Sequence, residues 1–247
     1  MNEYPHIAGV HLPQVPDAHP VELVFDDLTL GGYLLEAWTS QRALLLLHGW
    51  GEDASSHLHA ARFFRERGFH VLTLSLRGSR GSGGCDDYGL RQPHDTIRAL
   101  NWLQARTGAQ QLYLYGFSQG GLVALLTLAQ GAPVTATAVL NAPTDVKDFA
   151  RTTSFSFVTR YLEAVCADGL WQERSPLHQA GRIRAPVLIV ASTADRQVRP
   201  EQSARLHALL PGSTLKTLPD EDHLPGETVL REVWEAVARF YDASSLR

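Results

Sequence analysis

A mostly parallel, doubly wound α/β sheet, opened by an antiparallel hairpin, is the fold this sequence predicts, and three observations predict it. Short apolar runs recur at residues 43–47, 70–76, 111–115, 135–140 and 186–191, with a weaker one at 214–218. Stretches with helical spacing of apolar residues separate them, at 60–67, 96–106, 122–129, 202–210 and 228–241. Ahead of these, residues 21–25 alternate as a half-buried strand does, and 30–38 follow after a short polar turn, which reads as a hairpin.

Each element has its own justification. The compact runs are apolar on both faces, as parallel strands covered by helices on two sides must be. Among the helices, the segment near Thr96 places Ile97, Leu100 and Leu103 on one stripe and turns Arg98 and Arg106 elsewhere. Strand–helix alternation of this length implies right-handed crossovers in one sheet. Residues 1–19 carry prolines and turn formers among few periodic apolar positions and read as an irregular arm. Residues 144–185 separate two strands by about forty positions, longer than a simple crossover, so a small helical cap or a long loop is expected there.

A chain of 247 residues suits one domain, 1–247, with a core large enough to need neither disulfides nor a structural metal. The net charge of −4, with no run of Lys and Arg, excludes the electrostatic footprint of a nucleic-acid binder. Two distant cysteines, Cys85 and Cys166, without a CxxC pair fit a thiol-reducing compartment. The start, Met1-Asn2-Glu3-Tyr4-Pro5, lacks the basic and apolar regions of a signal peptide, and no apolar run is long enough to span a bilayer. A cytoplasmic protein without a membrane partner, monomer or homodimer, is the expectation.

The run 112–115 leads directly into Gly116-Phe117-Ser118-Gln119-Gly120-Gly121, and residues 122–126 then begin a helix. This is G-x-S-x-G in a strand–turn–helix setting, which marks Ser118 as a candidate nucleophile. Such a turn strains the serine backbone, and Gly116 and Gly120 remove the side chains that would collide. The N-terminal amides of the following helix point where an oxyanion would develop. Leu44-Leu45-Leu46-Leu47 runs into His48-Gly49-Trp50-Gly51, an HG-x-G loop of the kind that supplies a second oxyanion amide. The expected donors are the backbone N–H groups of Trp50 and Gln119. His48 itself is expected to be a hydrogen-bonded structural residue.

These ordered motifs resemble the α/β-hydrolase superfamily of serine hydrolases, in particular its dienelactone-hydrolase and prolyl-oligopeptidase-like branch. The resemblance spans roughly residues 20–243, and in that superfamily the chain order is nucleophile, acid, histidine. It implies the α/β-hydrolase fold. Beyond the strand 186–191 lies Ser192-Thr193-Ala194-Asp195-Arg196-Gln197-Val198-Arg199-Pro200, similar to the family's acid loop, and beyond the last strand stands His223, where the family places its base. Asp195 is preferred as the acid. Asp145, at the end of an earlier strand, is the alternative, whereas Asp220 and Asp222 lie too close to His223 in sequence to face its ring. Residues 77–84 resemble the family's R-G-x-x-x-S-G-G loop, a shaping loop rather than a phosphate cradle, because no Gly-Lys-Ser/Thr follows.

His57-Leu58-His59 points its two imidazoles in different directions and has no third ligand at suitable spacing, so no metal and no cofactor is expected. Trp50, Phe155 and Phe157 are candidate substrate-binding residues for an apolar portion of the substrate. The predicted reaction is hydrolysis of a small-molecule carboxylic ester through an acyl-enzyme. Peptidase or amidase, thioesterase or acyltransferase chemistry would use the same residues, and a non-catalytic binding protein on the same scaffold is the rival from another class.

Overall fold

The computed structural model describes residues 11–245. Eight strands form one sheet in the order β1-β2-β4-β3-β5-β6-β7-β8. They are β1 (His19–Val24), β2 (Thr29–Leu35), β3 (Arg42–Leu47), β4 (His70–Leu74), β5 (Gln111–Phe117), β6 (Ala136–Leu140), β7 (Val187–Ser192) and β8 (Ser213–Leu218). β1 and β2 are antiparallel, β2 is antiparallel to β4, and every later pairing is parallel. The fold is therefore the mostly parallel sheet with an antiparallel opening that the sequence predicts. Of the irregular arm read over 1–19, residues 1–10 lie outside the described residues, and the remainder holds a Val15–Ala18 bridge before β1 begins at His19.

Period two divides each central strand between two apolar layers. Leu45 and Leu47 of β3 and Leu112 and Leu114 of β5 face one layer, with α2 (Gln92–Thr107), α3 (Gln119–Ala129) and Leu206 of α7 (Pro200–Leu209). Leu44, Leu46, Tyr113 and Tyr115 face the other, with α1 (Leu58–Arg65) and α8 (Glu227–Ser244). Strands buried on both faces cannot alternate polar and apolar, which is why they read as continuous hydrophobic runs.

The 144–185 interval is helical. Asp145 caps α4 (Val146–Thr152), then come α5 (Ser156–Val165), a series of turns, α6 (Pro176–Gln179) and a 3-10 turn over Ala180–Arg182. Two helices begin earlier than their apolar periodicity suggests. α2 starts at Gln92 because Pro93 fits the first turn, whose N–H groups have no intrahelical partner anyway. α3 starts at Gln119 and takes Gly120 and Gly121 into its first turn despite their poor helix propensity.

From β3 the chain passes to β4 on one side and later to β5 on the other, so the connections diverge between β3 and β5. A crevice outside the carboxyl ends of the strands at such a point is where open α/β sheets place their ligands. The R-G-x-x-x-S-G-G loop is stitched to the adjoining strand. Gly31 N–H donates to Ser82 Oγ at 3.0 Å, Ser82 Oγ donates to Ser75 O at 2.7 Å, and Gly83 N–H donates to Thr29 O at 2.8 Å. Arg77 leaves this loop as the anchor of a buried bidentate pair, Nε to Asp95 Oδ2 at 2.6 Å and Nη2 to Asp95 Oδ1 at 2.8 Å. The pair holds Arg77 in its charged form.

Asp95→Ala strands this buried guanidinium without a partner. The variant is expected to lose about 3–5 kcal/mol of unfolding free energy, the usual cost of breaking a buried pair from one side, and urea titration measures it.

Candidate active site

Ser118 stands between the last residue of β5 and the first of α3 with φ 50° and ψ −118°, outside the allowed regions of an ordinary residue. Its surroundings leave the turn no alternative. A Cβ on Gly116 would lie 2.3 Å from Gly120 O, and one on Gly120 would lie 2.2 Å from Leu47 O, both impossible contacts with backbone. The Ser118 N–H donates to Leu140 O at 2.9 Å, tying the turn to the end of β6.

Two loops from the same end of the sheet meet Ser118. Its Oγ lies 2.9 Å from His223 Nε2, and His223 Nδ1 lies 2.7 Å from Asp195 Oδ2. The second oxygen of Asp195 accepts the N–H groups of Gln197 at 2.8 Å and Val198 at 2.9 Å, so this buried carboxylate is fully engaged. With Nδ1–H donating to Asp195, Nε2 is free to accept the Ser118 hydroxyl proton. The carboxylate on His223 is thus that of Asp195, not Asp145. Asp145 caps α4 by accepting the Asp148 N–H at 3.1 Å and pairs with Arg205 at 3.2 Å.

The His223 loop is held from behind by Asn141, which the sequence reading passed over as the end of a strand. Asn141 Nδ2 donates to His223 O at 2.8 Å and to Ser192 Oγ at 2.9 Å, while its Oδ1 accepts the Ser192 N–H at 2.8 Å. Asp222 accepts the His223 N–H at 2.8 Å and pairs with Arg196, and this N–H holds its carboxyl below the usual range. The Phe117 ring packs 5.3 Å from the imidazole.

The His48-Gly49-Trp50-Gly51 loop lies against the same turn, where a Cβ on Gly120 would come within 2.6 Å of His48 O and one on Gly49 within 3.0 Å of the Phe117 ring. His48 is buried: Nε2 accepts the Leu76 N–H at 3.0 Å and Nδ1–H donates to Gly49 O at 2.7 Å. Burial lowers its pKa to about 4. Glu52 closes the turn by accepting the Gly49 N–H at 2.7 Å, and partial burial raises its carboxyl. Gln119 is the first residue of α3, so helix geometry leaves its N–H without an intrahelical acceptor.

Aromatic rings border the loop. Trp50 stacks on Phe157 with centroids 6.0 Å apart and meets Tyr161 at 4.7 Å. Trp50 and Phe157 are partly exposed, whereas Phe155 packs partly against the core, 5.8 Å from Phe157. Tyr161 is one of several aromatic residues of the 144–185 interval, and no sequence motif marks either it or Asp86. Their contact joins positions 75 residues apart in the chain, so only proximity in space reveals it.

His57 packs edge-on against Tyr115 and Phe117, at 6.2 and 6.4 Å. Among the described residues, no group of three or more His, Cys, Asp or Glu has the arrangement of a metal site. No helix among them is long and apolar enough to cross a membrane.

The sheet order and the strained strand–turn–helix at Ser118 are those of the α/β-hydrolase fold, and the same end of the sheet carries the hydrogen-bonded Ser118–His223–Asp195 chain. Comparison with known sequences makes the assignment narrower: the profile of the prolyl oligopeptidase family matches residues 54–245, and the chain belongs to that family. It is 26% identical over 204 residues to dipeptidyl aminopeptidase BIII of Pseudoxanthomonas mexicana, covering 73% of this chain and 30% of that protein. It is 27% identical over 174 residues to the uncharacterized peptidase YtmA of Bacillus subtilis, covering 67% of this chain and 63% of that one. The chain thus spans less than two thirds of either relative. Among solved structures it resembles the esterase Pf2001 of Pyrococcus furiosus, with TM-score 0.77, 19% identity and coverage of 95% and 97% of the two chains.

Burial lowers the pKa of His57 to about 3, and its Nε2 has no hydrogen-bond partner. The unfolded chain takes up a proton on this side chain near pH 6.5 and the folded chain does not, so acid favours unfolding. Stability is expected to fall as pH drops from 6.5 toward 3, by up to about 1.4 kcal/mol per pH unit for this histidine. His57→Phe keeps the ring packing and should flatten that slope relative to wild type, measured by urea unfolding at pH 7 and pH 5.

Proposed function

We propose that the protein hydrolyses a small-molecule carboxylic ester through an acyl-enzyme on Ser118, with His223 as general base and acid and Asp195 orienting it. The observation that carries this reading is the continuous hydrogen-bond chain from Ser118 Oγ to His223 Nε2, 2.9 Å, and from His223 Nδ1 to Asp195, 2.7 Å. The strained turn presents Ser118 Oγ to that chain. As Oγ attacks the ester carbonyl, its proton passes to Nε2, and Asp195 stabilises the imidazolium. The N–H groups of Trp50 and Gln119 donate to the oxyanion of the tetrahedral intermediate. His223 then gives the proton to the departing alcohol, leaving the acyl group on Ser118. Water enters, loses a proton to His223, attacks the acyl carbonyl and releases the acid.

Ester rather than peptide is favoured because Pf2001, an esterase, superposes over nearly the full length of both chains, while dipeptidyl aminopeptidase BIII is matched over 30% of its length. Peptide hydrolysis is the second reading, and the peptidase relatives support it. The aromatic surface formed by Trp50, Phe157 and Phe155 favours an apolar acyl or alcohol portion.

A fluorophosphonate probe is expected to label the protein at Ser118. Ser118→Ala should lose the label and about 10⁶-fold in kcat, the loss seen when such a nucleophile is removed, and undiminished turnover would refute the assignment. Across p-nitrophenyl esters from acetate to octanoate, matched against p-nitroanilides, turnover should favour the esters. Phe157→Ala should lower kcat/KM for the longer acyl chains by about 10-fold, the worth of one to two kcal/mol of apolar contact, and leave acetate unchanged.

A further inference from the structure

Asp86 is a carboxylate that the mechanism above does not use, and it stands beside the parts that it does. Oδ1 accepts three hydrogen bonds, from Gln119 Nε2 at 2.8 Å, Gln92 Nε2 at 2.9 Å and the Tyr88 N–H at 3.0 Å. Oδ2 accepts the Tyr161 hydroxyl at 2.5 Å. Every donor is neutral, and among the described residues no arginine or lysine neutralises this carboxylate. Burial raises the Asp86 carboxyl, against the pull of these donors. A carboxylate kept there without a cation does not gain an ion pair's stability, so its partners identify its role.

Those partners lead to both oxyanion donors. Gln119 carries one of them on its backbone, at a position where α3 begins immediately after the strained Ser118. Tyr161, on α5, meets the ring of Trp50 at 4.7 Å, and Trp50 carries the other. One carboxylate is therefore connected to each donor residue through a single side chain. The connection is itself held rigid. Gln92 is buried and its Oε1 accepts the Gly89 N–H at 2.7 Å, which orients the amide that donates to Asp86. A Cβ on Gly78 would lie 2.1 Å from the Asp86 N, so the R-G-x-x-x-S-G-G loop closes directly onto this residue.

We propose that Asp86 is a positioning residue that sets the two oxyanion donors at once, Gln119 through its side-chain amide and Trp50 through Tyr161. The inference rests on the ester-hydrolase reading given above. Its consequence is that the cap, by way of Tyr161, is coupled to transition-state binding as well as to substrate access.

Steady-state kinetics with p-nitrophenyl butyrate test this in wild type, Asp86→Asn, Tyr161→Phe and the double variant, with thermal midpoints as the folding control. Each single variant is expected to lower kcat about tenfold, a part of the 10²–10³ lost when an oxyanion donor is removed outright, with KM within about twofold. The double variant is expected to be no slower than Asp86→Asn alone, because both changes break one connection. Unchanged kcat in both single variants, a loss confined to KM, or additive losses in the double variant would each overturn the proposal. Tyr161→Phe removes a single oxygen and decides the question even if Asp86→Asn fails to fold. Fluorophosphonate labelling separates the two levels: an unlabelled wild type counts against the ester-hydrolase reading, whereas a labelled, fully active Asp86→Asn counts against the role of Asp86 alone.

Discussion

The backbone of Ser118 occupies a conformation that costs about 1–3 kcal/mol for a residue with a Cβ, and much of the sheet's central geometry exists to impose it. β5 must end one residue earlier, so that Ser118 N–H can reach Leu140 O on β6. α3 must start at once, which places Gly120 against Leu47 O at the end of β3. Three neighbouring parallel strands therefore converge on one turn, and their registers are not independent of it. The apolar layers on both faces of β3 and β5 supply the packing that holds the strained turn in place.

Around that turn the protein treats its charged groups in contrasting ways. Asp195 is buried but saturated by two backbone N–H groups and an imidazole. Asp222, more exposed, takes a backbone N–H and an arginine. Asp86 receives neutral donors alone among the interactions described, and Arg77 is matched tooth for tooth by Asp95 a short distance along the same loop. The Arg77–Asp95 charges that hold a loop are thus neutralised as a pair, while Asp195 and Asp86 near Ser118 are met by neutral donors.

Much of this was legible beforehand because the sheet imposes strong patterns. Residues 43–47 and 111–115 could scarcely be anything except strands buried on both faces, and the glycines flanking Ser118 sit where backbone approaches backbone. Asp195 followed from the position of its loop after β7, and the ring of His223 faces it in space. Helix starts were harder to read: Gln92 and Gln119 begin helices with proline or glycine in the first turn, where propensity argues against them. Least legible were Asn141, Asp86 and Tyr161. Their partners lie 82, 33 and 75 residues away in the chain, and no period or spacing carries such information.

The helices of the 144–185 interval leave the sheet after β6 and return to it at β7, strands that are hydrogen-bonded neighbours. Thr137 opposite Val187 and Leu140 opposite Val190 fix where the excursion departs and rejoins, whatever lies between them. Because lengthening a loop whose ends are already held together raises its closure entropy only logarithmically, this interval is the natural place for the molecule to vary. Descendants of the chain can lengthen, shorten or replace it while the register that carries Asn141 and Asp195 stays as it is. A tie that such variation has to keep or replace is the hydroxyl of Tyr161, which reaches out of the interval to Asp86.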